Sequence, residues 1–165
     1  RDQAKTFIYA LIYGAGPAKM GKIVGKGKSA GQKMINDYLD AVPALRSLRK
    51  KIDKASADGM IKAIDGRLLN IRSQHSALNT LLQGMGAIVC KYWLIEIIKR
   101  IHKHKLDAKL VASIHDEYQF DVHKDCAEDF AMHTNKAIKD VEIDLELRCP
   151  LDSDYKIGNN WCETH

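Results

Sequence analysis

The sequence predicts an α+β fold in which helices dominate. Three observations carry that prediction. Several segments free of Gly and Pro place apolar residues at three- and four-residue intervals. An Asp65-Gly66 dipeptide, a strong hairpin-turn signal, lies between two short apolar arms. Two further apolar runs, 110–114 and 118–122, bracket the polar triplet His115-Asp116-Glu117.

The elements follow in order. From Arg1 to Tyr13 nothing interrupts a helix, and Gly14-Ala15-Gly16-Pro17 ends it. Short helices are expected near 18–25 and 29–40, among Gly21, Gly25, Gly27 and Gly31. Pro43 suits a first helical turn, so a helix runs from there to about Ala57. Residues 61–64 and 68–71 form the arms of the Asp65-Gly66 hairpin. Ser73 is placed to cap a long helix over about 75–103, with Leu78, Leu82, Met85, Val89, Trp93 and Ile97 on its buried face. Next comes a hairpin with His115-Asp116-Glu117 at its turn. An amphipathic helix at 125–140, a strand at 143–148 and an irregular tail finish the chain.

Composition narrows the function. With 45% hydrophobic and 28% charged residues, the chain folds rather than forming a disordered tail. The uncharged stretch around Gly84–Cys90 falls far short of the ~20 residues that span a bilayer. No secretory signal is visible. Cys90, Cys126, Cys149 and Cys162 lack metal-knuckle spacing, and His102 and His104 have no cysteine at ligand distance, so a reduced compartment without a zinc site is expected. The net charge is +5, unevenly spread. Residues 1–67 hold 14 Lys and Arg against 6 Asp and Glu, whereas residues 68–165 hold 12 against 15. A basic first part joined to a mildly acidic second part suits a polyanion held near carboxylates.

Three motifs carry chemistry. Arg1, Lys5, Tyr9 and Tyr13 recur every four residues, so they form one helical stripe that drifts about 40° per step. Cations followed by rings can meet a triphosphate, then a sugar and a base. Gly14 lets another group approach the backbone. An amphipathic helix with surface cations and core tyrosines would show the same spacing. The second motif, His115-Asp116-Glu117, offers a carboxylate in water at a hairpin tip, which suits a magnesium ligand. A plain polar turn is the alternative. The third, His75, Asn79 and Gln83, also steps by four; its amides can donate to the acceptors that base pairs show in the minor groove. The polar face of a half-buried helix is the alternative there.

In this order the motifs resemble the polymerase module of family A DNA polymerases, the DNA polymerase I type. The segment from Arg1-Asp2-Gln3-Ala4-Lys5 to Tyr13-Gly14 is similar to the fingers helix of that family, and His115-Asp116-Glu117 to its motif C. Asn79 and Gln83 lie in a segment that resembles the one contacting the nascent duplex. Asp65-Gly66-Arg67, Arg72-Ser73 and the Lys156-Ile157-Gly158 to Trp161 ending look like the short-tailed phage branch. The resemblance covers nearly the whole chain.

It implies an incomplete right-hand polymerase fold: a helical fingers subdomain at 1–66, and at 67–165 the C-terminal part of a palm with its motif C hairpin and long helix. It implies template-directed addition of dNTPs to a primer 3′-hydroxyl, with primer-template DNA as partner. Arg1 and Lys5 would bind the triphosphate, Tyr9 would lie under the sugar, and Tyr13 would check the new pair. Gly14, Arg67, His75, Asn79, Gln83 and His115 would contact DNA. Asp116 would ligate two Mg2+ ions and Glu117 would support the site. The second aspartate of the family lies upstream of the fingers helix, where this sequence begins. The resemblance therefore implies a partner segment or polypeptide carrying that aspartate, a thumb and possibly an exonuclease, with a naturally split enzyme as one form. A phage protein would work in the host cytoplasm. Asp144-Leu145-Glu146-Leu147-Arg148 loosely resembles part of the missing motif but reads as an edge strand with outward charges. Gly25-Lys26-Gly27-Lys28-Ser29 fails the phosphate-loop spacing; Lys22, Lys26, Lys28 and Lys33 read instead as a basic surface for template phosphates. The rivals are a single-subunit RNA polymerase, which usually has Ser in place of Glu117, and a non-catalytic DNA-binding module.

Overall fold

The computed structural model describes residues 2–164. Arg1, the first member of the cationic stripe, lies outside them. Seven helices and two antiparallel hairpins are found among the described residues. They pack as two compact units, Arg1–Met85 and Gly86–His165. That packing boundary falls inside a continuous helix. It is a separate matter from the fingers and palm assignment at 66/67, which rests on resemblance.

In the first unit, α1 (Asp2–Ile12), α2 (Pro17–Ile23) and α3 (Lys28–Ala41) enclose Phe7, Leu11, Met20 and Ile35. Phe7 meets the Tyr38 ring edge-on, with centroids 5.6 Å apart. The glycine cluster has a packing cause. A Cβ on Gly31 would lie 2.0 Å from the Pro17 carbonyl oxygen, and one on Gly21 would lie 2.2 Å from that of Gly27. These glycines let the α2 and α3 backbones touch. Pro43 then opens α4 (Pro43–Ala55), as its fixed φ favours. Strands β1 (Met60–Lys62) and β2 (Leu68–Asn70) pair across the Asp65-Gly66 turn, with Ile61 opposite Leu69. A second core gathers Ile52, Ile61, Ile71, Ala77 and Leu78.

Helix α5 (Ala77–His104) has 28 residues and is about 42 Å long. Ser73 does not cap it directly. A 3₁₀ turn, Gln74–Ser76, intervenes, and the Ser73 carbonyl accepts from the Ser76 hydroxyl at 2.8 Å. The expected buried stripe is only partly realised. Leu78 and Ile97 are buried, but Leu82, Met85, Val89 and Trp93 are half-buried, while Ala77, Ile88 and Ile101 are buried instead. The apolar residues surround the helix rather than lining one face. For the same reason the apolar stretch extends well beyond Gly84–Cys90, a correction to the length expected above. Gln74–His104 is long and apolar enough to cross a membrane by length and composition alone.

In the second unit, β3 (Ala108–Ile114) pairs with β4 (Glu117–Val122), and α6 (Ala127–Asp144) packs against them. Phe120 and Phe130 rings meet at 4.9 Å in a core with Ile97, Ile101, Ala108 and Ala137. Val111 is the extra residue of a β-bulge, since Leu110 pairs with Phe120 and Ala112 with Gln119.

The strand expected at 143–148 is absent. Residues 143 and 144 end α6, and Glu146 turns into the left-handed region at φ 51°. Glu146 N–H donates to Ile143 O and Leu147 N–H to Glu142 O, both at 3.0 Å, which is the Schellman pattern. Alternating charges gave the look of a strand, but helix propagation and this cap satisfy the backbone first. The chain ends in a short helix, α7 (Trp161–Thr164).

Candidate functional site

The two units each hold one group of the candidate residues. In the first, α1 turns Phe7 and Leu11 inward, at 8% and 2% exposure, and turns Lys5, Tyr9 and Tyr13 to solvent. Tyr9 is 52% and Tyr13 55% exposed, so neither is a core tyrosine. Lys5 Nζ stands 5.9 Å from the Tyr9 ring centroid, at the outer limit of a cation–π contact.

Gly14 serves two purposes. It ends α1 at φ +78°, with Gly14 N–H donating to Leu11 O at 3.1 Å and Ala15 N–H to Ala10 O at 2.8 Å. Its missing Cβ also makes room for the His75 carbonyl oxygen, which would lie 2.2 Å from that atom. The backbone before α5 thus rests on the end of α1. Two turns further along, Gln83 Nε2 donates to the Tyr13 hydroxyl at 3.1 Å. Tyr13, Gly14, His75 and Gln83 are thereby brought together by tertiary contacts. Asn79 Oδ1, between them in sequence, is buried with no hydrogen-bond partner. A cavity of about 460 Å³ opens beside Gly14, Arg49, Asp53, Gln74 and His75.

Arg67 is held within its hairpin. Its Nε and Nη2 lie 2.7 and 2.6 Å from Asp65 Oδ2, and its N–H donates to Asp65 Oδ1 at 3.3 Å. Desolvation would raise the Asp65 carboxyl, but the bonds from Arg67 outweigh it and hold the carboxyl below its ordinary range. Lys22, Lys26 and Lys28 are exposed, and Lys33 pairs with Asp37 at 2.7 Å.

In the second unit the expected three-residue turn is corrected to two. Glu117 pairs with Ile114 as the first residue of β4, which leaves only His115 and Asp116 in the loop. Two residues are the shortest connection between antiparallel strands, so the third polar residue joins the ladder. His115 takes φ +54°, a conformation that costs an L-residue energy. Asp116 at the tip is exposed. Burial, and secondarily the Asp116 charge, push the Cys90 thiol up.

Several residues that sequence reasoning passed over support this tip. The Tyr118 hydroxyl donates to Cys90 O at 2.7 Å, and its ring lies 5.3 Å from Trp93. Burial, then the Cys90 charge, raise the Tyr118 phenol. Trp93 Nε1 donates to Thr134 O at 2.9 Å. On the other face of β4, Gln119 Nε2 donates to Glu117 Oε1, and Thr164 Oγ1 lies 3.3 Å from Gln119 Oε1. Period-two alternation marks Gln119 as sharing a face with Glu117. No local signal points to Thr164.

Among the described residues no group of three Asp, Glu, His or Cys side chains could hold a metal. His104 stacks on His133 with centroids 4.0 Å apart. The donor chemistry at the hairpin tip still fits magnesium, which takes one or two carboxylates and fills its shell with water and phosphate oxygens. Asp116 offers one such carboxylate.

Comparison with known proteins agrees with the motifs. The profile of DNA polymerase family A matches residues 1–163. The DNA-directed DNA polymerase of Escherichia phage Phieco32 is 41% identical over the whole chain and 28% of its own length. That of Escherichia phage T7 is 36% identical over the whole chain and 27% of its length. This chain therefore spans about a quarter of those relatives. The POL domain of Pol1 from M. smegmatis, solved with DNA primer-template and dNTP, shares the fold, with a TM-score of 0.77 at 20% identity over 85% of this chain and 27% of that one. A match across almost every residue, together with the motifs and the shared fold, establishes that this chain belongs to DNA polymerase family A.

Proposed function

We propose that this chain supplies the nucleotide-binding helix and one catalytic carboxylate of a DNA-directed DNA polymerase that extends a primer on a template. The observation that carries the proposal is the outward stripe of α1. Lys5, Tyr9 and Tyr13 are exposed while Phe7 and Leu11 fill the core, so the stripe is available to a ligand.

Phosphoryl transfer is mostly positioning and charge neutralisation. Lys5, with Arg1 four residues before it in the sequence, binds the triphosphate oxygens of the incoming dNTP. Tyr9 packs under the sugar, and its hydroxyl tolerates a nucleotide without a 3′-hydroxyl. Tyr13, whose hydroxyl accepts from Gln83, presents its ring to the new base pair. Gln83, Asn79 and His75 line the duplex, Asn79 through its amide N–H groups, since its Oδ1 is buried. Gly14 keeps the backbone low beside the template, and Arg67 and His115 meet phosphates. Asp116 is one carboxylate ligand of the magnesium site, and Glu117 supports it. Bound magnesium supplies charge neutralisation at phosphate oxygens and a more acidic primer hydroxyl. The second aspartate comes from outside residues 1–165, from the same polypeptide or from a separate one. The second form would be a split polymerase.

Primer extension by the complete polymerase carrying these residues tests the reading. Asp116→Ala abolishes extension, and Lys5→Ala raises the dNTP KM and lowers kcat. Parental extension by Asp116→Ala, or preference for ribonucleotides over deoxynucleotides, overturns it.

A further inference from the structure

The C-terminal turn reaches the strand that carries Glu117. Glu117 and Gln119 are two apart on β4, so the pleat points both to one face. The Gln119 amide is an ordered bridge. A carboxylate can only accept, so Nε2 must face Glu117 Oε1, which leaves Oε1 of the amide as an acceptor on the other side. There it meets Thr164 Oγ1 at 3.3 Å, whose single hydrogen is shared with the Trp161 carbonyl at 3.1 Å.

Thr164 is itself held. Asn160 Oδ1 accepts from Glu163 N–H at 3.3 Å, and the Glu163 carboxylate accepts from Asn160 Nδ2 and from Asn159 N–H, both at 2.7 Å. The arrangement is a variant of the capping box: the Asn160 side chain accepts from the N–H three residues on, but the Glu163 carboxylate returns to the Asn159 N–H and the Asn160 side chain, one residue before the usual backbone partner. Gly158 completes the turn, because a Cβ there would lie 2.6 Å from Glu163 Cβ. The opposite face of β4 is anchored separately, through Tyr118 to Cys90. Glu117 thus sits on a strand fixed from one side by α5 and on the other by a segment 45 residues later in the chain.

We propose that Gln119 is a positioning residue for Glu117, and that Thr164 locks the Gln119 amide in the orientation that holds the carboxylate beside Asp116. The C-terminal turn is then part of the active-site support. This rests on the proposed role of Asp116 and Glu117 in primer extension.

The test compares Gln119→Leu, Thr164→Val and Thr164→Ser with Asp116→Ala, all in the complete polymerase. Loss of a supporting group of this kind typically lowers activity about 10–100-fold. Gln119→Leu is expected to lower kcat about tenfold with the dNTP KM and primer-template Kd within about twofold of the parent. Thr164→Val lowers kcat less, and Thr164→Ser, which keeps the hydroxyl, restores it. A loss of packing alone would not be rescued by serine and would move KM and Kd as well. If Asp116→Ala is inactive while Gln119→Leu and Thr164→Val turn over like the parent, the positioning role is wrong and the polymerase reading stands. The positioning role is equally wrong if Thr164→Ser matches Thr164→Val. Should Asp116→Ala turn over like the parent, the reading of the site falls and this inference falls with it.

Discussion

The Gln83 amide donates to the Tyr13 hydroxyl across 70 residues of sequence, at 3.1 Å. Both side chains are exposed, so this bond cannot serve mainly to stabilise the fold. Water would replace it at little cost. A net value of about 0.5–1 kcal/mol is expected. Tyr13→Phe and Gln83→Ala should each lower stability by no more than that, and the double variant should lower it by less than the sum. A double-mutant cycle on urea midpoints checks this. Full additivity would mean the contact is absent in solution.

The glycines make a sharper test of the backbone contacts. Gly14→Ala strains a left-handed residue and drives a methyl into the His75 carbonyl; a loss of about 3 kcal/mol is expected. Gly31→Ala has no strain in φ but meets Pro17 O, for about 1–3 kcal/mol. Gly25→Ala at φ +68° meets nothing within 4 Å, and should cost only about 1 kcal/mol. The order of the three unfolding midpoints is the measurement.

Lys105, His115 and Glu146 hold φ between 51° and 54°, where Gly would be more at ease. At Lys105 the Schellman bond from Leu106 N–H to Ile101 O is 3.0 Å long, so the residue closes α5 as Glu146 closes α6. Lys105→Gly and Glu146→Gly should each raise stability by about 0.5 kcal/mol, the relief of strain being offset in part by a more flexible unfolded chain. His115→Gly should also raise the melting temperature but weaken binding to primer-template. A DNA affinity unchanged by His115→Gly would remove that residue from the interface.

Stability should fall as the solution is made acidic, partly through His133. Desolvation, and then the His104 charge, hold its imidazole below the ordinary 6.5, while Arg100 and Lys136 act in the same direction and Asp129 against it. The unfolded chain therefore takes up the proton first. Above 6.5 both states carry a neutral ring and the contribution is complete; it is lost as the pH drops from there toward the folded value. His133→Gln should flatten the stability profile between about pH 7 and pH 5. A profile as steep as the parent's would assign the loss to other groups.

Much of this was legible in order along the chain. Gly14, Pro17 and Pro43 marked helix boundaries because backbone sterics act locally. The Asp65-Gly66 turn followed from its need for a positive φ, which Gly66 adopts at 88°. Lys5, Tyr9 and Tyr13 could be grouped, and Asn79 with Gln83, because a helix repeats its faces on a fixed period. The failures were also physical. Residues 143–148 alternate like a strand, yet no partner strand lies beside them among the described residues, and a helix cap needs none. The α5 stripe blurred because apolar residues surround that helix, so period alone could not choose the buried side.

The sequence by itself determined the family, the order of the elements as far as α6, and which side chains can bind phosphate, base or a divalent cation. Those depend on residue type and short-range periodicity. Only the tertiary structure decided that Glu117 joins the ladder, that the His75 carbonyl fills the space Gly14 leaves, and that Thr164 reaches Gln119. Each is a contact between atoms distant in the chain or an outcome of strand register, and no local preference encodes either.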